Sequence, residues 1–305
     1  MDGAHEQMID TNGIRVHVAE AGPADGVPVV LVHGFPELGY SWRHQVPVLA
    51  EAGYHVIVPD QRGYGGSDRP ARVEDYGIDE LTADLLGLLD HYGLRDAVFV
   101  GHDWGALVCW GMARLHPDRV RAMLAMSVPL FSPDKPPIEH FRRTAGEDFY
   151  VVKVQQPGVE DALGRDAHAM MRGAFAQGDQ ALPDWITQVE VDHYGDTFAR
   201  TGFFGPVNYY RNLDADWRLM KDIPYSAMSM PIAFMTGTED WVYTSPWGSV
   251  AGTDATGIEA MAQVLPDFRG TTYIYGAGHW NQQQEPEQTS RGLLEFLGQV
   301  GSTGR

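Results

Sequence analysis

Three short runs of β-branched and other apolar residues set the terms for this chain: "VPVVLV" at 27–32, "YHVIVPD" at 54–60 and "AVFVGH" at 97–102. None alternates apolar with polar residues, which marks strands buried on both faces. Helical patterns fall between them. "SWRHQVPVLAEAG" separates the first two, and "IDELTADLLGLLDHYG", whose leucines recur at three and four, precedes the third. Asp79 is the expected N-cap of that second helix and Gly93 the residue that closes it. "RVRAMLAMSVP" reads as another strand, following a helix that ends at Pro117. Strands alternating with helices in this way make a mostly parallel α/β sheet flanked by helices. Only the first 30 residues alternate like paired strands, with "TNG" as a turn between "EQMID" and "IRVHVAEAG".

The rhythm stops at 129 and resumes near 226. Between them the pattern is helical and rich in aromatics, interrupted by "SPDKPP", "QQPG", "ALPD" and "FFGP". From 231 the alternation returns: "PIAFMTG", a helix near 257–265, the strand "TTYIYG" and a last helix after Pro286. The expected organisation is an α/β core made of 1–128 and 226–305, split by a helical cap at 129–225. The chain has 305 residues, 44% of them hydrophobic, enough to bury a core without covalent staples. Its single cysteine, Cys109, excludes a disulfide framework and cysteine-rich zinc sites. The start, "MDGAHEQMID", lacks the basic end and apolar stretch of a secretory signal, and no run approaches a membrane span, so a soluble cytoplasmic protein is expected. A net charge of −19 repels nucleic-acid phosphates and anionic membranes.

In an open α/β sheet, ligands sit at the carboxyl ends of the strands. The third buried run ends there in Gly101-His102-Asp103-Trp104-Gly105. This is the small-x-nucleophile-x-small turn of a nucleophile elbow, with Asp where lipases carry Ser. Small residues are needed because the tight turn brings the positions two before and two after the nucleophile into contact. The first buried run ends in "HGFP", and later strands end in "GTEDW", holding Asp240, and "GAGHW", holding His279. Nucleophile, acid, histidine is the chain order this architecture uses for a triad. "RGYGGSD" at 62–68 lacks the spacing of a dinucleotide-binding loop and reads as a turn.

With "HGFPELGYSWR", "DQRGYGGSDRP", "GHDWG", "GTED" and "GHW" in this order, the chain from about 7 to 298 resembles the epoxide hydrolases of the α/β-hydrolase fold. The resemblance implies Asp103 as nucleophile, Asp240 as triad acid and His279 as base. It also implies an oxyanion hole formed by the backbone N–H groups of Phe35 and Trp104. Two cap tyrosines that open the ring are carried over from "DFYVVKVQQPG" and "FFGPVNYYRN" onto Tyr150 and Tyr210, with the adjacent Tyr209 rejected. Trp104, Phe131, Phe149, Phe203, Phe204 and Trp241 are the candidates to line a pocket between core and cap, which would suit an apolar or aryl epoxide. The substrates would be that epoxide and water, with no cofactor and no metal, in a detoxifying role; a homodimer could form. One departure from the family pattern is the long segment between Asp240 and His279, which contains "TSPWGSVAGTDATG".

The chemistry suits these residues. A carboxylate is ionised at neutral pH and attacks a saturated carbon without a base, unlike a serine hydroxyl. A phenol, of ordinary pKa about 10, stays protonated to quench the alkoxide that leaves. Two alternatives stand at this point. A haloalkane dehalogenase uses the same elbow Asp followed by Trp, but would more often carry Asn where Phe35 stands, or an acid between Asp118 and Asp134, where there is none. A non-catalytic receptor of the same fold could dispense with nucleophile or base, and both are present here.

Overall fold

The computed structural model describes residues 3–176, 181–253, 255 and 257–300. Eight strands form one sheet: β1 (His5–Thr11), β2 (Ile14–Ala21), β3 (Pro28–Val32), β4 (His55–Pro59), β5 (Ala97–His102), β6 (Val120–Met126), β7 (Ile232–Gly237) and β8 (Phe268–Ile274). Their order is β1-β2-β4-β3-β5-β6-β7-β8. β1 and β2 form an antiparallel hairpin, and β2 runs antiparallel to β4; every later pairing is parallel.

The uninterrupted apolar runs are explained by burial on both faces. Val30, Val32, Phe99, Met123 and Phe234 point into one core, beside α2 (Ile78–His91) and α3 (Trp104–Leu115). Their neighbours Val29, Leu31, Val98, Val100 and Leu124 point into the other, beside α1 (Gln45–Glu51) and the C-terminal helix Pro286–Val300. With a side-chain period of two, only a run without polar residues satisfies both.

Between β6 and β7 lie the helices α4 (Pro137–Ala145), α5 (Tyr150–Lys153), α6 (Val159–Gly164), α7 (Ala167–Ala176), α8 (Gln188–Thr201) and α9 (Phe204–Met220). After β7 come α10 (Gly257–Val264), α11 (Asn281–Gln284) and α12 (Pro286–Val300). Among the described residues, no helix is long and apolar enough to cross a membrane. The inserted helices are tied to the loops at the strand ends by specific bonds. Arg43 Nε donates to Glu190 of α8 at 2.7 Å, and the Tyr209 hydroxyl of α9 donates to the Arg62 carbonyl at 2.8 Å.

One expectation is corrected at the start of α2. Asp79 is not the N-cap; Gly77 holds that position in an extended conformation and Asp79 lies in the first turn. The orphan Ile78 N–H is instead met across the fold by the Asp216 carboxylate of α9, at 2.9 Å. Sequence spacing cannot reveal a partner 138 residues away.

The elbow glycines are constrained most tightly. A Cβ on Gly101 would lie 2.2 Å from the Gly105 carbonyl oxygen, and one on Gly105 would lie 2.0 Å from that of Val32. Both obstacles are backbone, so neither can swing aside. Gly101→Ala should therefore cost about 3 kcal/mol or more of stability, the upper range for forcing extra volume into a packed core. Gly298→Ala, whose added methyl meets nothing within 4 Å in α12, should be neutral or slightly stabilising. Thermal unfolding of the two variants checks the contrast, and equal midpoints would contradict it.

Candidate active site

At the end of β5 the backbone turns through Asp103 with φ 52° and ψ −119°, a strained conformation for a residue with a side chain. The turn lifts the carboxylate off the sheet and starts α3 at Trp104. Trp104 N–H, the first of that helix, has no carbonyl within the helix to bond. The loop after β3 approaches from the other side, where a Cβ on Gly34 would lie 2.4 Å from Asp103 Cβ. This close approach lets Phe35 N–H donate to Asp103 Oδ1 at 2.7 Å. Asp103 Oδ2 faces His279 Nε2 at 3.5 Å.

His279 follows β8 and Asp240 follows β7, adjacent parallel strands whose ends bring the two together. His279 Nδ1 lies 3.4 Å from each Asp240 oxygen, and Asp240 Oδ1 also accepts from Val242 N–H at 2.9 Å. These imidazole contacts are long for hydrogen bonds. Asp240 is 2% exposed; burial opposes its charge, but His279 and the Val242 amide hold its carboxyl below the usual range.

From the inserted helices, Tyr210 sets its ring edge-on to Trp104 at 4.9 Å, to Phe35 at 5.5 Å and to Tyr150 at 5.9 Å. Tyr210 is buried, whereas the Tyr150 residue is 36% exposed with its hydroxyl turned inward to accept from Trp247 Nε1–H at 3.0 Å. Burial, reinforced by neighbouring acidic groups including Asp103, pushes both phenols up, so each keeps its proton at neutral pH. Tyr209, one position away, spends its hydroxyl on Arg62.

The aromatic candidates separate. Trp104 and Phe203 lie around Phe35 and Tyr210, and Trp241 stands at the rim, 54% exposed and 6.5 Å from the Tyr150 ring. Phe131 and Phe149 sit a layer further out, packed on Phe141. Phe204 packs on Tyr76 and, with Phe203, lines an outer depression beside Glu160, Asp161 and Arg165. Consecutive residues at a helix start diverge in direction, so Phe203 and Phe204 cannot both face Phe35. A separate, mostly apolar cavity of about 50 Å³ is lined by Trp104 and Phe131 but includes neither Asp103 nor the tyrosine pair.

Several groups beneath the site were not singled out from sequence. Glu37 and His102 are fully buried and face each other at 2.8 Å, with Gln283 donating to Glu37 at 2.6 Å and Gln282 at 3.0 Å. His102 Nε2 lies 2.8 Å from the His279 carbonyl, which also accepts from the Ser127 hydroxyl at 3.2 Å. Ser127, the residue after β6, has φ 66°, a conformation rare for a residue with a side chain. The only signal in the sequence is position: Glu37 and His102 stand inside "HGFPE" and "GHDWG".

Residues 27–286 match the family described as alpha/beta hydrolase fold. The chain is 44% identical to epoxide hydrolase A of Mycobacterium tuberculosis, over 97% of its own length and 98% of that protein. It is 36% identical to epoxide hydrolase 1 of Siraitia grosvenorii, over 98% of its length and all of that protein. Among solved structures, epoxide hydrolase A from Mycobacterium thermoresistibile superposes with a TM-score of 0.87 at 42% identity, covering 96% of this chain and 98% of that one.

The imidazole of His279 lies between two carboxylates. Burial disfavours its charge, but Asp240 and Asp103 outweigh this and push its pKa up to about 10. At neutral pH it is therefore an imidazolium, and its proton leaves only as pH rises towards that value. Neutralising Asp103 removes one of the two attractions. Asp103→Asn should lower the His279 midpoint by about 1–3 pH units, the usual effect of one opposite charge at this range. Histidine NMR across a pH titration measures it, and an unchanged midpoint would show that Asp103 contributes nothing.

Proposed function

The chain belongs to the epoxide hydrolases of the α/β-hydrolase fold, and from that premise we propose that it opens its substrate through a covalent ester on Asp103. Asp103 Oδ2 attacks one ring carbon; the C–O bond breaks and its electron pair goes to the ring oxygen. Tyr150 and Tyr210 hold that oxygen and supply its proton. Residues 129–225 act as a cap that carries these phenols over the core of 1–128 and 226–305. The aromatic surroundings of Trp104, Phe35, Phe203 and Trp241 favour an apolar or aryl epoxide.

Esterification removes the negative charge of Asp103. That loss weakens the hold on the His279 proton, which returns through solvent to the phenolate left by ring opening. The neutral imidazole that remains is a competent base, and Asp240 keeps it oriented. His279 then takes a proton from water, which attacks the carbonyl carbon of the ester. The electron pair collects on Asp103 Oδ1, where the Phe35 and Trp104 N–H groups stabilise it. One such donor is commonly worth about 3–4 kcal/mol in the transition state. Collapse of the tetrahedral intermediate breaks the bond from the Asp103 carbon to the ester oxygen, which takes the remaining proton of the attacking water. That oxygen leaves in the diol, restoring the carboxylate and the His279 imidazolium.

The observation that carries this reading is the division of labour within one carboxylate. Oδ1 already accepts from Phe35 N–H at 2.7 Å, while Oδ2 is turned to His279 at 3.5 Å. Ring opening needs no base, so His279→Gln should react once with styrene oxide and stop. Intact-protein mass should rise by one substrate, and peptide mapping should place the addition on Asp103. An unmodified His279→Gln protein after prolonged exposure would contradict the two-step scheme.

A further inference from the structure

The segment that separates Asp240 from His279 by 39 positions reaches the tyrosine pair. Ser245 Oγ accepts from Trp247 N–H at 3.3 Å, and the following residues clamp onto the chain after β6. There Ser132 N–H donates to the Ser249 carbonyl at 2.9 Å and Ala251 N–H to the Ser132 carbonyl at 2.6 Å. Trp247 is thereby 2% exposed, its indole set against Phe141 at 4.7 Å and Phe131 at 5.0 Å, rings that stack on each other. Packed on these rings, the indole N–H donates to the Tyr150 hydroxyl oxygen at 3.0 Å.

We propose that Trp247 is a positioning residue for ring opening: its indole N–H orients the Tyr150 hydroxyl and stabilises the phenolate that forms when Tyr150 gives up its proton. This inference rests on the reading of Tyr150 as a proton donor. A phenol oxygen that accepts from an indole keeps its own proton for another partner. With Trp247 N–H on one side of the oxygen, the Tyr150 proton is directed away from it and stays available for the ring oxygen, beside Tyr210, whose ring stands 5.9 Å away. As the proton moves to the ring oxygen, the Tyr150 oxygen becomes anionic, and a hydrogen bond to an anion is stronger than one to a neutral phenol. The contact therefore gains strength in the transition state, which is the condition for accelerating the step. The same contact also draws the Tyr150 pKa down, against the larger upward push of burial. Because the indole comes from the segment after β7 and Tyr150 from the inserted helices, the bond also fixes one to the other.

The test is a double-variant cycle read on ring opening alone. In the His279→Gln background, the rate at which intact mass rises reports ester formation directly. Trp247→Phe keeps an aromatic ring and removes the donor; it should slow this rate roughly 10-fold, as losing a hydrogen bond to a developing charge does. Ester hydrolysis, measured with His279 intact, and substrate affinity should hardly change. In a Tyr150→Phe background the same substitution should cost less than about 2-fold, because the acceptor is already gone. Equal losses in both backgrounds, equal slowing of both chemical steps, or no loss at all would overturn the role of Trp247 and leave that of Tyr150 standing. If Tyr150→Phe itself opens the ring at the parental rate, the assignment of Tyr150 falls and Trp247 falls with it. Should Phe at 247 prevent folding, benzothienylalanine at that position keeps the shape of indole with sulfur in place of N–H, and the same comparisons apply.

Discussion

The φ angle of +52° at Asp103 holds because Gly101 and Gly105 meet backbone to backbone, and the rest of the site is arranged around that turn. A relaxed turn there would need a wider loop, which would move the carboxylate and the Trp104 amide apart. The tight turn keeps both at one point, beside the Phe35 amide that Gly34 allows to come close. Strain of this kind persists only where surrounding packing outweighs it. Here the surroundings are β3, β5 and α3, whose side chains fill the core on that face of the sheet.

Two carboxylates around one imidazole give the site its electrostatic character. In the resting protein they favour the charged imidazole, whose Nε2 faces the Asp103 carboxylate at 3.5 Å. In the proposed scheme esterification of Asp103 removes one carboxylate, and the imidazole gives up its proton more readily and is left neutral, able to act as a base. The phenols are held in the opposite sense: burial keeps them protonated until an alkoxide arrives. In this account the reaction itself sets which group is acid and which is base, and no external switch is required. Beneath it, the buried Glu37–His102 pair and Ser127 grip the main chain of His279, so the ring is held at its backbone as well as at Nδ1.

How much of this was legible in the sequence depended on whether the responsible partners were close in the chain. The buried strands were, because "VPVVLV" and "AVFVGH" need no partner to be read as two-faced apolar runs. The elbow was, since its glycine spacing is local, and Asp240 and His279 stood at strand ends that the alternation located. The N-cap of α2 is not legible locally, because the group that meets Ile78 N–H is Asp216, on a helix far along the chain. Phe203 and Phe204 looked equivalent as neighbours, and only the start of α9 decides which one faces Phe35. Trp247 was hidden for a further reason: its segment has neither strand nor helix periodicity, so nothing in it announced a contact with Tyr150. The resemblance to a family supplied the tyrosines; periodicity alone would have left both among ordinary amphipathic positions.

The central claim is that the oxygen added to the substrate comes first from Asp103 and not from solvent. A single turnover with protein in excess over styrene oxide, in ¹⁸O-labelled water, decides this by mass spectrometry of the diol. The account predicts unlabelled diol on the first turnover, with ¹⁸O appearing in the Asp103 carboxylate. Later turnovers should then yield labelled diol as that oxygen is passed on. Labelled diol on the first turnover, with Asp103 unlabelled, would mean that water attacks the epoxide directly, and the covalent scheme would be wrong.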